Sequence, residues 1–360
     1  MPKRILAIVP IAVLAAGIAT YAFGQRWIGE QAFNLAVENQ AGIDRSAELP
    51  DGLHAYVCGS GSPMPDAERA GPCIAVLAGR QGFVFDAGSG SIRKLGRMGF
   101  PMDRLEAAFL THLHSDHLDG LGELMLQAWI AGGRGTPLPI YGPPGTDRVV
   151  AGFMQAYDID RGFRIAHHGP EVARPGAFGG VSRIISFSDS EDHDGMVFED
   201  GGVLIRVLSV DHTPVDHAFA YRIDYKGRSL VISGDTKYSP DLAQFARGAD
   251  VIFHEALNPE MVAKLGQTLA ARGNADAAKI MADIPDYHAS PEEAAKVAES
   301  AGAKALVLYH MVPAPPARMM ERAFLGDAPK LFDGELKLSE DGMLVSLPAH
   351  IEKVDFDHLL

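Results

Sequence analysis

Apolar residues along this chain gather into short runs bounded by Gly, Pro and Asp. Residues 53–58, 74–78 and 82–86 are rich in Val, Ile, Phe and Ala and stand between turn formers, which is the pattern of strands. A helix is expected over 91–98, an apolar strand over 105–111 and a second helix over 121–131. The alternation returns with strands over 203–210, 218–224, 229–233 and 251–254, a helix over 291–301, a strand over 305–309 and a closing hairpin over 336–347. Strand-rich blocks alternating with helices, without a Gly-rich phosphate fingerprint after the first strand, predict an α/β fold in which sheets pack together with helices outside.

The N-terminus departs from this pattern. Lys3 and Arg4 precede an uncharged, mostly apolar stretch of roughly 19 residues, close to the ~20 that span a bilayer. This order predicts a signal peptide or membrane anchor over 1–25. It also predicts an exported protein, periplasmic or otherwise extracytoplasmic, tied to the inner membrane if the segment is uncleaved. An amphipathic helix is expected over 27–44, within a linker over 26–50, and Leu49-Pro50-Asp51-Gly52 marks the entry to the folded body. The Gly/Pro-rich stretches 142–145 and 167–180 have motifs for one site on both sides, so 51–360 is read as a single catalytic domain.

Composition narrows the functions. The chain of 360 residues has 47% hydrophobic and 22% charged residues, the balance of a globular protein, and a formal net charge of −14. No long Lys/Arg run interrupts that charge. The molecule therefore carries no overall field to gather polyanions, which counts against nucleic acid as a partner, although a metal site brings positive charge of its own. Export would permit a disulfide between the two cysteines, Cys58 and Cys73, with unbridged buried thiols the alternative.

The segment His112-Leu113-His114-Ser115-Asp116-His117 places three imidazoles and a carboxylate within six positions at the end of an apolar strand. Imidazole together with carboxylate suits zinc, manganese or iron. A tight loop aims alternate side chains to the same side, so His112 and His114 can share one ion while Asp116 and His117 face a second.

With Leu118-Asp119-Gly120 after it, this segment resembles the HxHxDH signature of the metallo-β-lactamase-fold hydrolases. Further parts of that family's pattern stand in order around it: Asp86 in Phe85-Asp86-Ala87-Gly88-Ser89-Gly90, His212 in Asp211-His212-Thr213-Pro214, Asp235 in Ser233-Gly234-Asp235-Thr236, and His310 in Leu308-Tyr309-His310. The resemblance covers 53–347 and implies a four-layer αββα sandwich, here preceded by the hydrophobic signal or anchor helix. It implies two zinc ions, one held by His112, His114 and His212, the other by Asp116, His117 and His310, with Asp235 bridging them. Each ion would keep an open position, as catalytic sites do.

Asp86 is not implied as a direct ligand and is read as an acceptor that orients a ligand imidazole, with a turn cap before Gly88 as the alternative. His217 competes with His212 for one ligand position. His212 is preferred because it closely follows its strand, which leaves His217 behind the ligands or facing substrate. Tyr287-His288-Ala289-Ser290 ahead of a helix resembles the ribonuclease Z and arylsulfatase-like branch, in which a histidine at the position of His288 faces the scissile group. There it can stabilise charge on an oxyanion and protonate the leaving oxygen. Its alternative is a polar residue before the helix start Ser290-Pro291-Glu292-Glu293. His167 and His168 are assigned to a substrate entrance or a solvated loop, His254-Glu255 to a satisfied core pair or a support of the site from behind, and His193 to a solvated acidic loop.

The basic, Gly/Pro-rich arm with which ribonuclease Z enzymes hold transfer RNA is not found, and with export this disfavours transfer-RNA processing. The expectation is thus an exported dinuclear zinc hydrolase of a small phosphate or sulfate ester, phosphodiesterase- or arylsulfatase-like. A hydroxide generated at the metals attacks, Asp116 orients it or takes its proton, and His288 assists the leaving group. Lactone or β-lactam hydrolysis at the same metals is the second expectation. The third, a silent membrane-attached metal-binding protein, is opposed by the complete ligand set.

Overall fold

The computed structural model describes residues 5–40, 42–187 and 194–360. The chain forms two compact units, Met1–Ala47 and Glu48–Leu360.

The first unit is a 36-residue helix, Ile5–Gln40. It runs without a break through Gln25, so the segments expected separately over 1–25 and 27–44 are one element. The apolar run continues directly into polar sequence carrying the exposed Arg26–Glu30 ion pair, and is not set off as a span of its own. No helix among the described residues is long and apolar enough to cross a membrane, which leaves the expected signal peptide or anchor unsupported. Lys3 and Arg4 lie outside the described residues.

The second unit holds two mixed sheets. The first begins with β1 (Gly52–Gly59), β2 (Cys73–Ala78), β3 (Gln81–Phe85), β4 (Leu105–Phe109), β5 (Leu138–Gly142) and β6 (Gly180–Ile184). The second contains β7 (Asp194–Asp200), β8 (Val203–His212), β9 (Val215–Tyr225), β10 (Arg228–Ile232), β11 (Val251–Leu257), β12 (Ala305–Val312) and β13 (Glu335–Leu338). The chain then returns to the first sheet with β14 (Met343–Pro348) and β15 (Asp355–His358). The orders are β15-β14-β1-β2-β3-β4-β5-β6 and β13-β12-β11-β10-β9-β8-β7. The expected hairpin over 336–347 is therefore not one. β13 pairs parallel with β12 and β14 antiparallel with β1, because an apolar pattern on both sides of a turn serves two sheets as well as one.

Side-chain alternation explains the strands' uninterrupted apolarity. Leu53, Ala55 and Val57 of β1 join a central core shared with Val207, Tyr221, Phe253 and Val307 of the other sheet. Tyr56 and Cys58 point the opposite way, into a cluster with Ile92, Leu95, Leu121 and Leu124 of the helices Ser91–Arg97 and Leu121–Ile130. The second sheet does the same: Ile252 and Leu306 pack against Leu242, Ala294 and Val297 of Pro240–Phe245 and Pro291–Ala301. A strand covered on both faces has no polar face to show.

Cys58 and Cys73 are bridged, with Cα atoms 5.1 Å apart, and tie the base of the 60–72 connection between β1 and β2. Strands β3 to β6 run parallel, as do β10 to β13. Ligand sites of α/β sheets form beyond the carboxyl ends of parallel strands. The loop after β4 carries His112, the loop after β10 carries Asp235, and His310 lies near the end of β12.

Candidate metal centre

The loop after β4 is pinned before it reaches the histidines. Asp86, just past β3, accepts hydrogen bonds from the Thr111 backbone N–H and the Thr111 hydroxyl, both at 2.8 Å. It also accepts from His117 Nδ1 at 2.8 Å. Gly88 allows the two loops to meet, since a Cβ there would collide with the backbone of Gly71 and Asp116. His114 is extended, and the single turn Ser115–Leu118 then swings Asp116 and His117 back over the same spot.

Seven side chains converge there. His112 Nε2 and His114 Nδ1 lie 2.9 Å apart, and His212 Nε2 lies 3.4 Å from His114 Nδ1. The Asp235 Oδ2 atom is 3.9 Å from His112 Nε2 and 4.0 Å from His212 Nε2. On its other side the same oxygen is 3.4 Å from both His117 Nε2 and His310 Nε2. Asp116 completes that side, 3.2 Å from His310 Nε2 and 3.6 Å from His117 Nε2. Nitrogens bound at ~2.0–2.1 Å around a tetrahedral ion lie about 3.3 Å from one another, so spacings of this order are compatible with metal donors; the groups close enough to hold an ion are His112, His114, His212 and Asp235; Asp116, His117 and His310; and Asp235, His288 and His310.

The donors fit a divalent metal on a further ground. His117 gives its Nδ1 proton to Asp86, and His212 gives its own to the Tyr287 carbonyl at 2.8 Å, so each ring turns Nε2 inward. His117 Nε2 and Asp235 Oδ1 are buried without a hydrogen-bond partner, a costly state for groups that bind nothing. Burial, and then the facing His117, push His112 well down, toward the neutral form that binds metal. Burial works against the charge of Asp235, but His310 and His117 outweigh it and hold the carboxyl well below its usual range. The backbone is left-handed at Asp86 (φ 55°) and His310 (φ 46°), a region that residues with a Cβ enter at a cost and mainly at functional sites.

His288 stands at the edge of this cluster, its Nδ1 4.0 Å from Asp235 and 3.1 Å from Glu255 Oε1. Burial opposes its charge, yet Glu255 and Asp235 raise its pKa to about 9. Glu255 is fully buried and also accepts from the Thr236 and Ala289 backbone N–H groups at 3.3 and 3.0 Å. The sequence offers it only as half of the His254-Glu255 pair, a satisfied core pair or a support of the site from behind, and its bond to His288 puts it in the second place. The signal was an acid beside a histidine within β11, the strand paired beside β10, whose following loop carries Asp235.

His217 is exposed on β9 and stands apart from the donor sets, while His212 takes its place in one of them. His167 and His168 end the helix Thr146–His168 and are exposed. His254 is buried, bonded to the backbone of Glu255. His193 lies outside the described residues. A cleft of about 420 Å³ opens over the centre, lined by His114, Asp116, Asp235, His288 and His310 together with Met64, Ile280, Met281 and Ile284.

A family model described as the β-lactamase superfamily domain matches residues 82–311. The chain is 38% identical over 292 residues to the ribonuclease Z of Mycobacterium avium, covering 80% of this chain and 96% of that protein. It is 36% identical over 263 residues to the ribonuclease Z of Mycolicibacterium gilvum, covering 72% of this chain and 85% of that one. The chain belongs to the ribonuclease Z branch of the metallo-β-lactamase-fold hydrolases.

Solved structures of the ribonuclease Z branch and its wider superfamily share the fold. The short form of human tRNase Z superposes with a TM-score of 0.58 at 21% identity, over 82% of this chain and 99% of that one. A metallo-β-lactamase-fold protein of Bacillus subtilis gives 0.55 at 22%, over 82% and 100%. This membership, with the His/Asp cluster, makes the protein a metal-dependent hydrolase. It also corrects three expectations. An exported hydrolase of small phosphate or sulfate esters, its arylsulfatase-like variant included, is overturned by relatives that are ribonucleases. The argument against nucleic acid fails with it, because a net charge of −14 averages over the whole surface, whereas the field at a cleft is set by local groups and bound ions. The exported, periplasmic location rested on the 1–25 segment, and neither the relatives nor the described helices support it.

Proposed function

We propose that this protein is a dinuclear zinc ribonuclease that hydrolyses phosphodiester bonds of RNA, with transfer RNA the favoured substrate class. The observation that carries the reading is the convergence of two donor sets on Asp235 Oδ2 beneath an open cleft, in a chain whose relatives are ribonucleases Z. His112, His114 and His212 with Asp235 would hold one ion, and Asp116, His117 and His310 with Asp235 the other; their nitrogen and carboxylate donors suit zinc. When bound, the ions supply positive charge that offsets a phosphodiester's negative charge and makes water a stronger acid.

The chain's own residues do the rest. Asp86 fixes the ring and tautomer of His117, and the Tyr287 carbonyl does so for His212. Asp116, facing the cleft, accepts the proton of the attacking water. His288 lines the same cleft and is held by Glu255 through Nδ1, which leaves Nε2 to donate to the leaving oxygen. RNA cleaved in this way is attacked by water rather than by its own 2′-hydroxyl, so the products carry no 2′,3′-cyclic phosphate. End-group analysis of the products tests this: cyclic phosphate termini would exclude the mechanism, and their absence with His288→Ala depressing turnover would support it.

A further inference from the structure

Around the metal centre, Asp235 Oδ1, Glu255 Oε2, the Tyr309 hydroxyl and His310 Nδ1 are buried without a hydrogen-bond partner among the described residues, and the mechanism gives them no task. Polar groups in that state are costly, so several in one place point to something they hold together. The second sheet gathers them. β10, whose following loop carries Asp235, pairs with β11, and β11 with β12, where Glu255 stands opposite Tyr309. Residues paired across neighbouring strands share a face, so these two side chains lie next to each other. The register then shifts between Glu255 and Ala256, which leaves His310 as an extra residue on β12. This bulge, with the left-handed backbone of His310 (φ 46°), re-aims its ring toward the centre. His310 points Nε2 at Asp235 Oδ2, 3.4 Å away, which leaves Nδ1 to carry the proton.

Tyr309 is the member that needs explaining. It is 1% exposed in the apolar core between the sheets, where a phenylalanine would pack as well and bring no oxygen to satisfy. Burial, and then Asp86, Asp235 and Glu255, push its phenol well above the usual range, so it keeps its proton at neutral pH and needs an acceptor for it. Asp86 is occupied by Thr111 and His117. The carboxylate oxygens left are Asp235 Oδ1 and Glu255 Oε2.

We propose that Tyr309 is a positioning residue of the centre, holding with His310 Nδ1 an internal water that donates to Asp235 Oδ1 and Glu255 Oε2. The donors and acceptors balance. A water has lone pairs for the Tyr309 O–H and the His310 N–H and protons for both carboxylates, and internal waters make about two to four such bonds. The consequence for function runs through Asp235, whose Oδ2 stands between the two donor sets. Fixing Oδ1 fixes the plane of the carboxylate that both ions would share. Through Glu255 the same water reaches the residue that holds His288. This rests on the dinuclear reading and adds to it the support of the shared ligand.

The test uses the full-length protein and Tyr309→Phe, which removes the hydroxyl alone. Zinc affinity is measured by chelator competition, and the stability of the metal-free proteins by chemical denaturation. The variant is expected to bind zinc about 10–100-fold more weakly, the usual loss when a partner that orients a metal ligand is removed. Metal-free, it should unfold at about the parent's denaturant concentration, because the packing of the ring is unchanged. A merely structural hydroxyl would do the reverse, lowering stability and leaving zinc affinity alone. Zinc affinity equal to the parent's overturns the proposal, as does a loss matched by destabilisation of the metal-free protein. A crystal structure of the zinc-loaded parent gives the direct readout. Density for one water bonded to Tyr309, His310, Asp235 and Glu255 is expected, and a hydroxyl bonded to protein groups alone overturns it. A parent that takes up no zinc would instead defeat the dinuclear reading, and this inference with it.

Discussion

Glu255 holds His288. Its Oε1 atom lies 3.1 Å from His288 Nδ1 and at the same time accepts the backbone N–H groups of Thr236 and Ala289, so a single buried oxygen ties together the loop after β10 and the segment that carries His288. Without the glutamate, His288 would lose its fixed ring orientation, its compensating charge and the bond that anchors the backbone of its neighbour Ala289.

Glu255→Gln separates these roles, because the amide oxygen can keep the backbone hydrogen bonds while the charge is lost. The expected result is a fall in kcat of about tenfold or more, within the range of general acid–base contributions, with KM and metal content unchanged. Steady-state kinetics beside elemental analysis checks it. Loss of metal in step with activity would make Glu255 a structural support of the centre instead.

Asp86 acts on the metal through His117. Replacing it by Ala frees the imidazole to turn and to change tautomer, which costs metal affinity about 10–100-fold, as the loss of such orienting partners usually does. Chelator competition, one ion at a time, is the measurement. The weaker of the two sites in the variant should be the one built from Asp116, His117 and His310.

Much of this centre was legible in the sequence for a definite reason. His112, His114, Asp116 and His117 are neighbours in the chain, so their chemistry shows without any fold. His212, Asp235 and His310 could be found because the residues around each resemble the family's pattern, and His212 also because it closely follows its strand. Glu255 was half legible: beside His254 it reads as a core pair or as a support of the site, and only its partner His288, 33 residues away, decides between the two. The apolar lining of the cleft was hidden, being assembled from segments more than 200 positions apart. The strands were legible as apolar runs, but their pairing was not: the run over 336–347 contributes to both sheets. Overall charge misled, since it says little about one cleft.

The Cys58–Cys73 bridge spans 15 positions and ties the base of the loop that brings Met64 to the cleft. A bridge closing a loop of that length contributes about 3 kcal/mol by restricting the unfolded chain. The Cys58→Ser/Cys73→Ser double variant should be less stable by that amount and so unfold at a lower denaturant concentration, and reducing agent should destabilise the parent but not the variant. Chemical denaturation with and without reductant checks both.

Asp250 supplies an acid-sensitive part of the stability. It bonds Arg228 Nε at 2.9 Å, the Ser229 N–H at 2.9 Å and Lys304 Nζ at 3.0 Å. Burial pushes its carboxyl up, but the Arg228 and Ser229 hydrogen bonds outweigh this and hold it below the usual range. As the pH falls the unfolded chain takes up the proton first, so the contribution is complete well above the ordinary carboxylate value of about 3.9 and is lost as the pH drops through that value and then the folded one. Asp250→Asn leaves Arg228, 4% exposed, with its bonds to the Pro348, Ile351 and Lys353 carbonyls but without its anionic partner, and should cost about 3 kcal/mol at neutral pH. Denaturation curves from pH 7 to pH 3 should show the variant losing less stability than the parent on acidification.

The measurement closest to the central claim is cleavage of a 3′-extended transfer-RNA transcript by the full-length protein, before chelation, after chelation and after zinc is restored, with Asp235→Asn in parallel. The account predicts cutting that disappears on chelation, returns with zinc, and is at least about a hundredfold weaker in Asp235→Asn, which removes the charge shared by both donor sets. Cutting that survives metal removal, or a zinc-loaded protein that leaves the transcript intact, would contradict it.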